Sequence, residues 1–388
     1  MKKPELLSPA GDMACLVSAV NAGADAVYFG LKEFNMRDSA RNFKLSDIEN
    51  IREICKKKKV KCYLTLNTII YDNEISKIDK ILRKVKGKID AVICWDLSVI
   101  NLCKKHKIPF HISTQASVSN IEAAKFYKKL GASRITLARE LNLKQIKEIS
   151  KIVDVECFVH GALCVAESGR CFTSQFLHKK SANRGKCQHP CRKEYTITDD
   201  EGNKLKVSNN FILSAKDLCT LPFIERLKKA GISAFKIEGR NRDADYVDAA
   251  TSVYREAIDK KLNKKRVNEL LTALSNVYNR KFSSGFCLGS PTSDDFTNIE
   301  GSASKKKKKI IGKIVHYYDK QGVAVVKVFT DSINLGDELY VIGNKTGFVK
   351  FKVGSMEIDH KPVNKVDKGK LVGIKCQKVR ENDSVYKV

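Results

Sequence analysis

The chain predicts an α/β fold, a TIM-like (β/α)8 barrel carrying a cysteine-rich insertion, followed by a small all-β barrel domain. Three observations predict it. Short β-prone runs alternate with helix-patterned stretches through the first 240 residues. The phrases NAGADAVYFG, KLGASRITLA and KAGISAFKIE repeat one junction, in which a helix ends on Gly23, Gly131 or Gly231 and a strand opens two or three residues later. From Ile310 the helical spacing gives way to alternating β-prone runs separated by turn residues.

Eight strands are expected, at Glu5–Pro9, Ala26–Gly30, Lys61–Asn67, Ala91–Trp95, Phe110–Thr114, Arg134–Arg139, Asp154–His160 and Ala234–Glu238. Helical spacing of apolar residues fills intervals such as Asp12–Ala22, Ser46–Lys56, Glu74–Val85 and Asn120–Leu130. No GxGxxG follows the first strand, which argues against an open dinucleotide-binding sheet. The cysteine-rich segment follows the seventh strand, where an insertion decorates the C-terminal mouth of a barrel. These features divide the chain into a catalytic barrel at 1–280 with the insertion at 161–219, a linker at 281–309, and a β-barrel domain at 310–388.

With 388 residues, 43% of them hydrophobic, the chain has material for a large domain and a smaller one. No apolar run approaches a membrane span, and the opening MKKPELLSPAGD lacks the apolar core of a signal peptide. A cytoplasmic protein is expected, with its thirteen cysteines reduced or holding metal. The net charge of +28, from 72 Lys+Arg against 44 Asp+Glu, suits a polyanionic partner such as RNA. The same lysines could simply form a solvated surface, and this applies to the runs Lys56–Lys59 and Lys305–Lys309 as well.

Six cysteines fall between Cys157 and Cys219, spaced C-x6-C-x6-C-x15-C-x3-C-x27-C. Sulfur ligands so gathered select zinc or an iron–sulfur cluster over hard cations. Cys157 lies in a strand pattern and reads as a buried thiol. A zinc protease would need HExxH and a serine hydrolase GxSxG, and neither occurs. A cysteine protease needs a thiolate beside a histidine, and His160 stands four residues before Cys164; on a continuing strand the two would share a face.

The stretch Glu156–Ser174 resembles the signature of peptidase family U32, the collagenase-like peptidases, through Glu156, Phe158, Gly161, Ala162, Leu163, Cys164, Gly169, Cys171 and Ser174. Thr173 departs from it, standing where an aliphatic residue is expected. ELLSPAGD, GADAVYFG, FNMRDSARNF, SAKDLCTL and KIEGRNRDADYV extend the resemblance across nearly the whole chain, and GDELYVIG…VGSMEID…ENDSVYKV resembles the family's C-terminal β-barrel. Despite its label the family includes hydroxylases carrying a [4Fe–4S] cluster. The architecture looks most like the prephenate-dependent tRNA hydroxylases that make 5-hydroxyuridine at the wobble position. The resemblance thus implies tRNA as substrate, prephenate as co-substrate, a paralogous U32 subunit as partner, and cluster ligands at Cys164, Cys171, Cys187 and Cys219. Cys191 could displace either neighbour in that set.

Strand ends at the expected mouth supply Arg37, Asn67, Gln115 and Arg139 as substrate-binding candidates, and His160, Glu238 and Arg240 as catalytic ones. Arginine suits a carboxylate-rich molecule because its planar fork pairs bidentately. Glu238 and Arg240 could equally form a structural ion pair. Tyr317 and Tyr318, beside the Lys305–Lys309 run, could stack bases. The expected activity is iron–sulfur-dependent hydroxylation of a tRNA uridine. The alternatives are a U32 collagenase-like protease, or an RNA-binding partner subunit without activity of its own.

Overall fold

In the computed structural model, which describes residues 3–196, 198–204, 211 and 213–388, the N-terminal part closes into a parallel barrel. Its strands are β1 (Glu5–Ala10), β2 (Ala26–Gly30), β3 (Lys61–Thr65), β4 (Ala91–Cys94), β5 (Phe110–Ile112), β6 (Arg134–Thr136), β7 (Val155–Gly161) and, after the two-faced insertion strand β8 (Asp217–Cys219), β9 (Ala234–Ile237). Each neighbour pairs in parallel, and β9 closes the ring by pairing with both β7 and β1. All eight expected strands form in the expected order. Helices α1 (Met13–Asn21), α2 (Ile48–Lys57), α3 (Ile75–Val85), α4 (Leu97–His106), α5 (Ile121–Leu130) and α6 (Leu143–Ser150) alternate with the first seven strands.

Local chemistry sets these boundaries. Asp12, Asp96, Asn120 and Asn142 cap the N-termini of α1, α4, α5 and α6 by accepting from backbone N–H groups. At the recurrent junction Gly131 ends α5 with φ of 106°, a conformation in which a Cβ would be strained. The burial of β1, β2 and β4 is nearly continuous, as a sheet covered on both faces requires.

The barrel interior is not uniformly apolar. Leu7, Ala26, Tyr28, Tyr63, Ala91 and Ile93 pack beside a buried ionic network. Lys236 Nζ lies 2.7 Å from Glu156 Oε1, to which Thr136 Oγ1 also donates at 2.8 Å. Arg134 bridges Glu5 at 2.6 Å and Glu156 at 3.7 Å. Burial pushes the Glu5 carboxyl up, but Arg134 and Lys61 more than offset it and hold it at about 2. Two opposite pairs thus cancel inside the ring, the arrangement that makes buried charge tolerable.

Among its described residues the insertion carries one short α-helix, α7 (Thr173–His178), and it returns through β8, which runs antiparallel to the end of β7 with Cys219 opposite His160. After α8 (Ile224–Lys229) and β9 come α9 (Ala244–Asp259) and α10 (Lys264–Ser275). The segment expected as a linker, 281–309, lies against the barrel: β10 (Phe282–Ser283) pairs with β8, and Thr297 N–H donates to Ser214 O at 2.8 Å.

The C-terminal part is antiparallel throughout. Its strands are β11 (Lys309–Tyr318), β12 (Val323–Val328), β13 (Ile333–Asn334), β14 (Glu338–Gly343), β15 (Gly347–Lys352), β16 (Met356–Ile358), β17 (Lys361–Pro362), β18 (Lys365–Val366), β19 (Leu371–Lys375) and β20 (Ser384–Lys387). Eight form one sheet in the order β15-β14-β20-β11-β12-β19-β16-β17, and β13 pairs with β18. They enclose a separate core that includes Ile311, Ile314, Val326, Val341, Val372 and Val385.

The β14–β15 hairpin docks this unit on the barrel. Ile342 and Phe348 join the barrel's hydrophobic core. Lys308 of the Lys305–Lys309 run crosses this junction, while Lys306 and Lys309 pair within the β unit. Lys308 is held by Asp243 at 2.8 Å and Asp245 at 2.5 Å, Lys306 pairs with Glu338, and Lys309 lies 3.3 Å from Asp331. Pairing rather than free charge is their first role.

Candidate active site

The C-terminal ends of the strands deliver an arginine-rich mouth. Arg37, on the loop after β2, donates through Nε and a terminal nitrogen to the same oxygen of Glu238 at 3.2 and 3.0 Å. Glu238 follows β9 directly. Burial pushes its carboxyl up, yet Arg37, Arg242 and Arg139 outweigh burial and hold it at about 2, so it is ionised at any working pH. Arg240, two residues on, donates to Thr65 Oγ1 at 3.0 Å. Burial draws Arg240 down to about 10, which still leaves it cationic at neutral pH. Gly30 makes room for it, since a Cβ there would stand 2.4 Å from the guanidinium.

Arg139 differs from these. One terminal nitrogen donates to Ala162 O at 2.9 Å, and the guanidinium lies over the Phe158 ring at 4.4 Å. Its Nε and second terminal nitrogen are buried without a hydrogen-bond partner. Leaving such donors unpaired costs about 1–3 kcal/mol each, and more for a charged group. A cation so placed is built to receive an acceptor.

The other expected residues divide into those that hold the mouth and those that lie elsewhere. Asn67 Oδ1 accepts from Met36 N–H at 3.2 Å and its amide donates to Ser113 Oγ at 3.3 Å. Ser113 in turn pairs with Gln115. These two amides are spent on fixing the loops after β3 and β5, so they position the mouth. His160 is enclosed by the rings of Tyr246, Tyr254 and Phe282, with centroids 5.5–5.9 Å away, and burial lowers it to about 3. The expected pairing with Cys164 fails for a backbone reason. Gly161, with φ of 103°, ends β7 between them, so the alternation that would place both on one face stops there. A Cβ on Gly161 would also meet Glu238 O at 2.5 Å.

The insertion folds across this mouth. A Cβ on Gly169 would stand 2.7 Å from the Gln115 side chain, and one on Gly185 would stand 2.1 Å from Asn35 O. Arg184 pairs with Glu74 and donates to Ile69 O at 3.0 Å, tying the insertion to the loop after β3. Cys164, Cys171, Cys187 and Cys191 are therefore carried over the arginines. Cys164 lies close enough to Arg37, Arg139 and Arg192 to couple to them electrostatically.

Burial raises the Cys191 thiol, Arg192 opposes the rise, and Cys164, Cys187 and Cys171 add to it, so these four share one neighbourhood. Cys219, the remaining member of the expected ligand set, is placed on a different element. It is buried in β8, its environment is set by burial, Leu221, Tyr254 and Asp217, and Tyr254 Oη lies 3.8 Å from its sulfur. The 27 residues between Cys191 and Cys219 return the chain to the barrel sheet.

Thiols are the ligand type that a soft metal group takes. His189 N–H points at Cys187 Sγ at 3.4 Å, and Ser174 Oγ lies 3.9 Å from the same sulfur. Such donors stabilise thiolate sulfur. Among the described residues, no three His, Cys, Asp or Glu side chains converge on a point that would hold a single ion.

Sequence reasoning missed several charged groups here. Arg192 donates to Leu163 O at 2.5 Å and Ser214 Oγ at 3.1 Å, Arg280 pairs with Asp217 at 3.3 Å, and Arg242 stands 3.5 Å from the Tyr278 ring centroid. His189 reports their joint field: burial first, then Arg37, Arg280, Arg192 and Arg242, lower it to about 4.

The family model for peptidase family U32 matches residues 11–297. The chain belongs to peptidase family U32. It is 42% identical to an uncharacterized protease of Methanocaldococcus jannaschii, over 98% of this chain and 97% of that one. It is 37% identical to a collagenase of Porphyromonas gingivalis, covering 99% and 97%. It is also 33% identical to tRNA hydroxylation protein P1 of Bacillus subtilis, covering 88% and 84%. Relatives of one family and comparable coverage thus carry both a protease name and an RNA-modification name. Among the described residues no helix is long and apolar enough to cross a membrane.

Proposed function

We propose that this U32 protein is an RNA hydroxylase, acting on a tRNA uridine to give 5-hydroxyuridine at the wobble position, with prephenate as co-substrate and a [4Fe–4S] cluster as cofactor. The observation that carries the reading is the unpaired, buried edge of Arg139 within an arginine-rich mouth. Arg37 lies near it, Arg37, Arg240 and Arg242 gather about Glu238, and Arg192, Arg242 and Arg280 about Asp217. A molecule with two carboxylates, as prephenate has, complements that imbalance through charge-assisted hydrogen bonds. The likeness to a tRNA hydroxylation protein supports the RNA substrate.

Cys164, Cys171, Cys187 and Cys191 would hold the cluster, which when bound supplies electron-transfer capacity at the mouth. The chain's own residues do the rest. Arg139 and Arg240 receive carboxylates, Arg37 is kept in place by Glu238, and Asn67 and Gln115 fix the loops that carry these groups. The insertion closes over the mouth and excludes bulk water, which strengthens each of these interactions.

The protease reading has the names of two relatives in its favour. It lacks a thiol–imidazole pair at Cys164, since His160 is walled off. The deciding experiment incubates anaerobically reconstituted protein with unmodified tRNA and prephenate, then measures nucleosides by mass spectrometry. A uridine gaining one oxygen atom is the expected product. Unmodified nucleosides together with cleavage of gelatin by the same sample would replace this reading with the protease.

A further inference from the structure

The insertion turns an unusual surface outward. Phe172, at the N-cap of α7, is 63% exposed and Phe176, four residues on within the helix, is 82% exposed, with ring centroids 6.4 Å from each other and planes tilted by 58°. Leu177, beside them, is 57% exposed. Large aromatic rings are rarely left in water without a partner. The opposite side of the same turn is anchored. Ser174 is fully buried, accepts from Gln188 N–H at 3.0 Å and lies against Cys187 Sγ. Cys171, immediately before Phe172, is fixed by its N–H donating to Asn183 Oδ1 at 2.8 Å. The rings are therefore displayed by a tied-down turn, one residue from the thiol group.

Charge says what covers them. From Ser168 to Lys193 the sequence has seven lysines and arginines and no acidic residue. Lys179, Lys180, Lys186 and Lys193 are exposed, and among the described residues no carboxylate pairs with any of them. An apolar protein partner would not require this fringe, and a duplex would offer no free base faces. Exposed rings within an unpaired basic fringe match the two needs of a single strand, stacking for the bases and cations for the phosphates.

We propose that Phe172 and Phe176 form a stacking platform for unpaired bases of a single-stranded RNA segment, with Lys179, Lys180, Lys186 and Lys193 holding its phosphates. The inference rests on the RNA reading above and adds where the strand lies: on the insertion, at the rim of the arginine-rich mouth, rather than on the C-terminal sheet. The platform reads no sequence by itself, because every base offers a π face. It favours loops over helices, since only unstacked bases can reach it.

The test measures binding of the full-length protein to a fluorescein-labelled single-stranded RNA 12-mer and to a blunt-ended RNA duplex of the same length, which should bind more weakly, by anisotropy across a salt series. Phe172→Ala and Phe176→Ala should each weaken single-strand binding by about tenfold without changing the salt slope, while Phe176→Tyr stays within about twofold of the parent. Lys179→Ala/Lys180→Ala should instead flatten the salt slope. Both phenylalanines are exposed, so far-ultraviolet circular dichroism should confirm unchanged folding. Unaltered affinity in both alanine variants overturns the platform. If in addition sedimentation shows a parent dimer that the variants lose, the rings bury against a second copy of the chain. Nucleoside analysis is a separate readout: binding that depends on the rings with no hydroxylated uridine keeps the platform and removes the hydroxylase reading.

Discussion

Replacing Cys191 and Cys219 separately should have opposite consequences. Cys219→Ala removes one sulfur from a site only 3% exposed. The Tyr254 hydroxyl that touches this sulfur keeps its stronger partners, donating to Val159 O at 2.7 Å and accepting from Thr220 N–H at 3.1 Å. Leu221 N–H, which also bonds to the sulfur, loses that weak acceptor, so the cost is that of a small cavity and one weak hydrogen bond, about 1–3 kcal/mol. Cys191 is partly exposed, and its truncation costs the bare fold well under about 0.5 kcal/mol, as for other substitutions away from the core. If Cys191 is a ligand, however, its loss removes metal binding and the stability linked to it. Iron and acid-labile sulfide should be assayed in anaerobically purified parent and variants, with melting curves before and after chelation. Iron should persist in Cys219→Ala and vanish in Cys191→Ala, and chelation should lower the melting temperature of the first but not of the second. Iron retained in Cys191→Ala and lost in Cys219→Ala would refute the grouping of Cys164, Cys171, Cys187 and Cys191.

Three further outcomes follow from the geometry. Arg139→Met should raise the KM for an anionic co-substrate by at least about tenfold while iron content and melting temperature hold, because it removes a charge-assisted acceptor site of about 1.5–3 kcal/mol; an unchanged KM would put the carboxylate elsewhere. Lys236→Met leaves the fully buried Glu156, among the described residues, with Arg134 at 3.7 Å as its remaining ion-pair partner and should cost about 3–5 kcal/mol in urea unfolding, with part of the loss recovered in Lys236→Met/Glu156→Gln; strictly additive losses would contradict the pairing. Asp248, on α9 facing β15, is pushed up to about 6 by burial, with Lys350 opposing and Asp245 adding. Its folded form favours the proton, so stability should fall as pH rises from about 4 to 6, and Asp248→Asn should stabilise by about 1 kcal/mol at pH 7.5 and not at all near pH 3.5; equal melting temperatures at both pH values would exclude it.

The barrel was legible because it is written in local signals. Strands with continuous burial, the repeated glycine junction and the Asp and Asn caps each act within a few residues. The ends of elements were less so: β5 and β6 close after three residues, where a longer run was expected, because Ser113, Thr114 and Arg139 turn to the mouth. The site was legible in residue type but not in partnership. Arg37, Glu238, Arg240 and Arg139 do meet, yet nothing in the spacing says that Arg37 would be saturated by Glu238 while Arg139 is left open. Arg192, Arg242 and Arg280 carried no motif, and only the return of the chain through β8 and β10 brings them near. The lumen network was invisible for the same reason, since Glu5, Arg134, Glu156 and Lys236 lie as many as 231 residues apart.

Where charge sits in this chain argues more than its total does. Within the run Lys305–Lys309, Lys306, Lys308 and Lys309 pair with Glu338, Asp243, Asp245 and Asp331, while Lys305 and Lys307 are exposed. The arginines at the mouth have only two buried carboxylates between them, and the lysines on the insertion have none among the described residues. Uncompensated positive charge is destabilising unless something else supplies the balance. It persists here at two adjoining places, one buried and lined with guanidinium forks, one exposed and set around phenylalanine rings. The first suits a compact carboxylate and the second an extended phosphate chain. A protein that must bring a small anion and a polynucleotide to one centre needs both, side by side, with the thiol group between them.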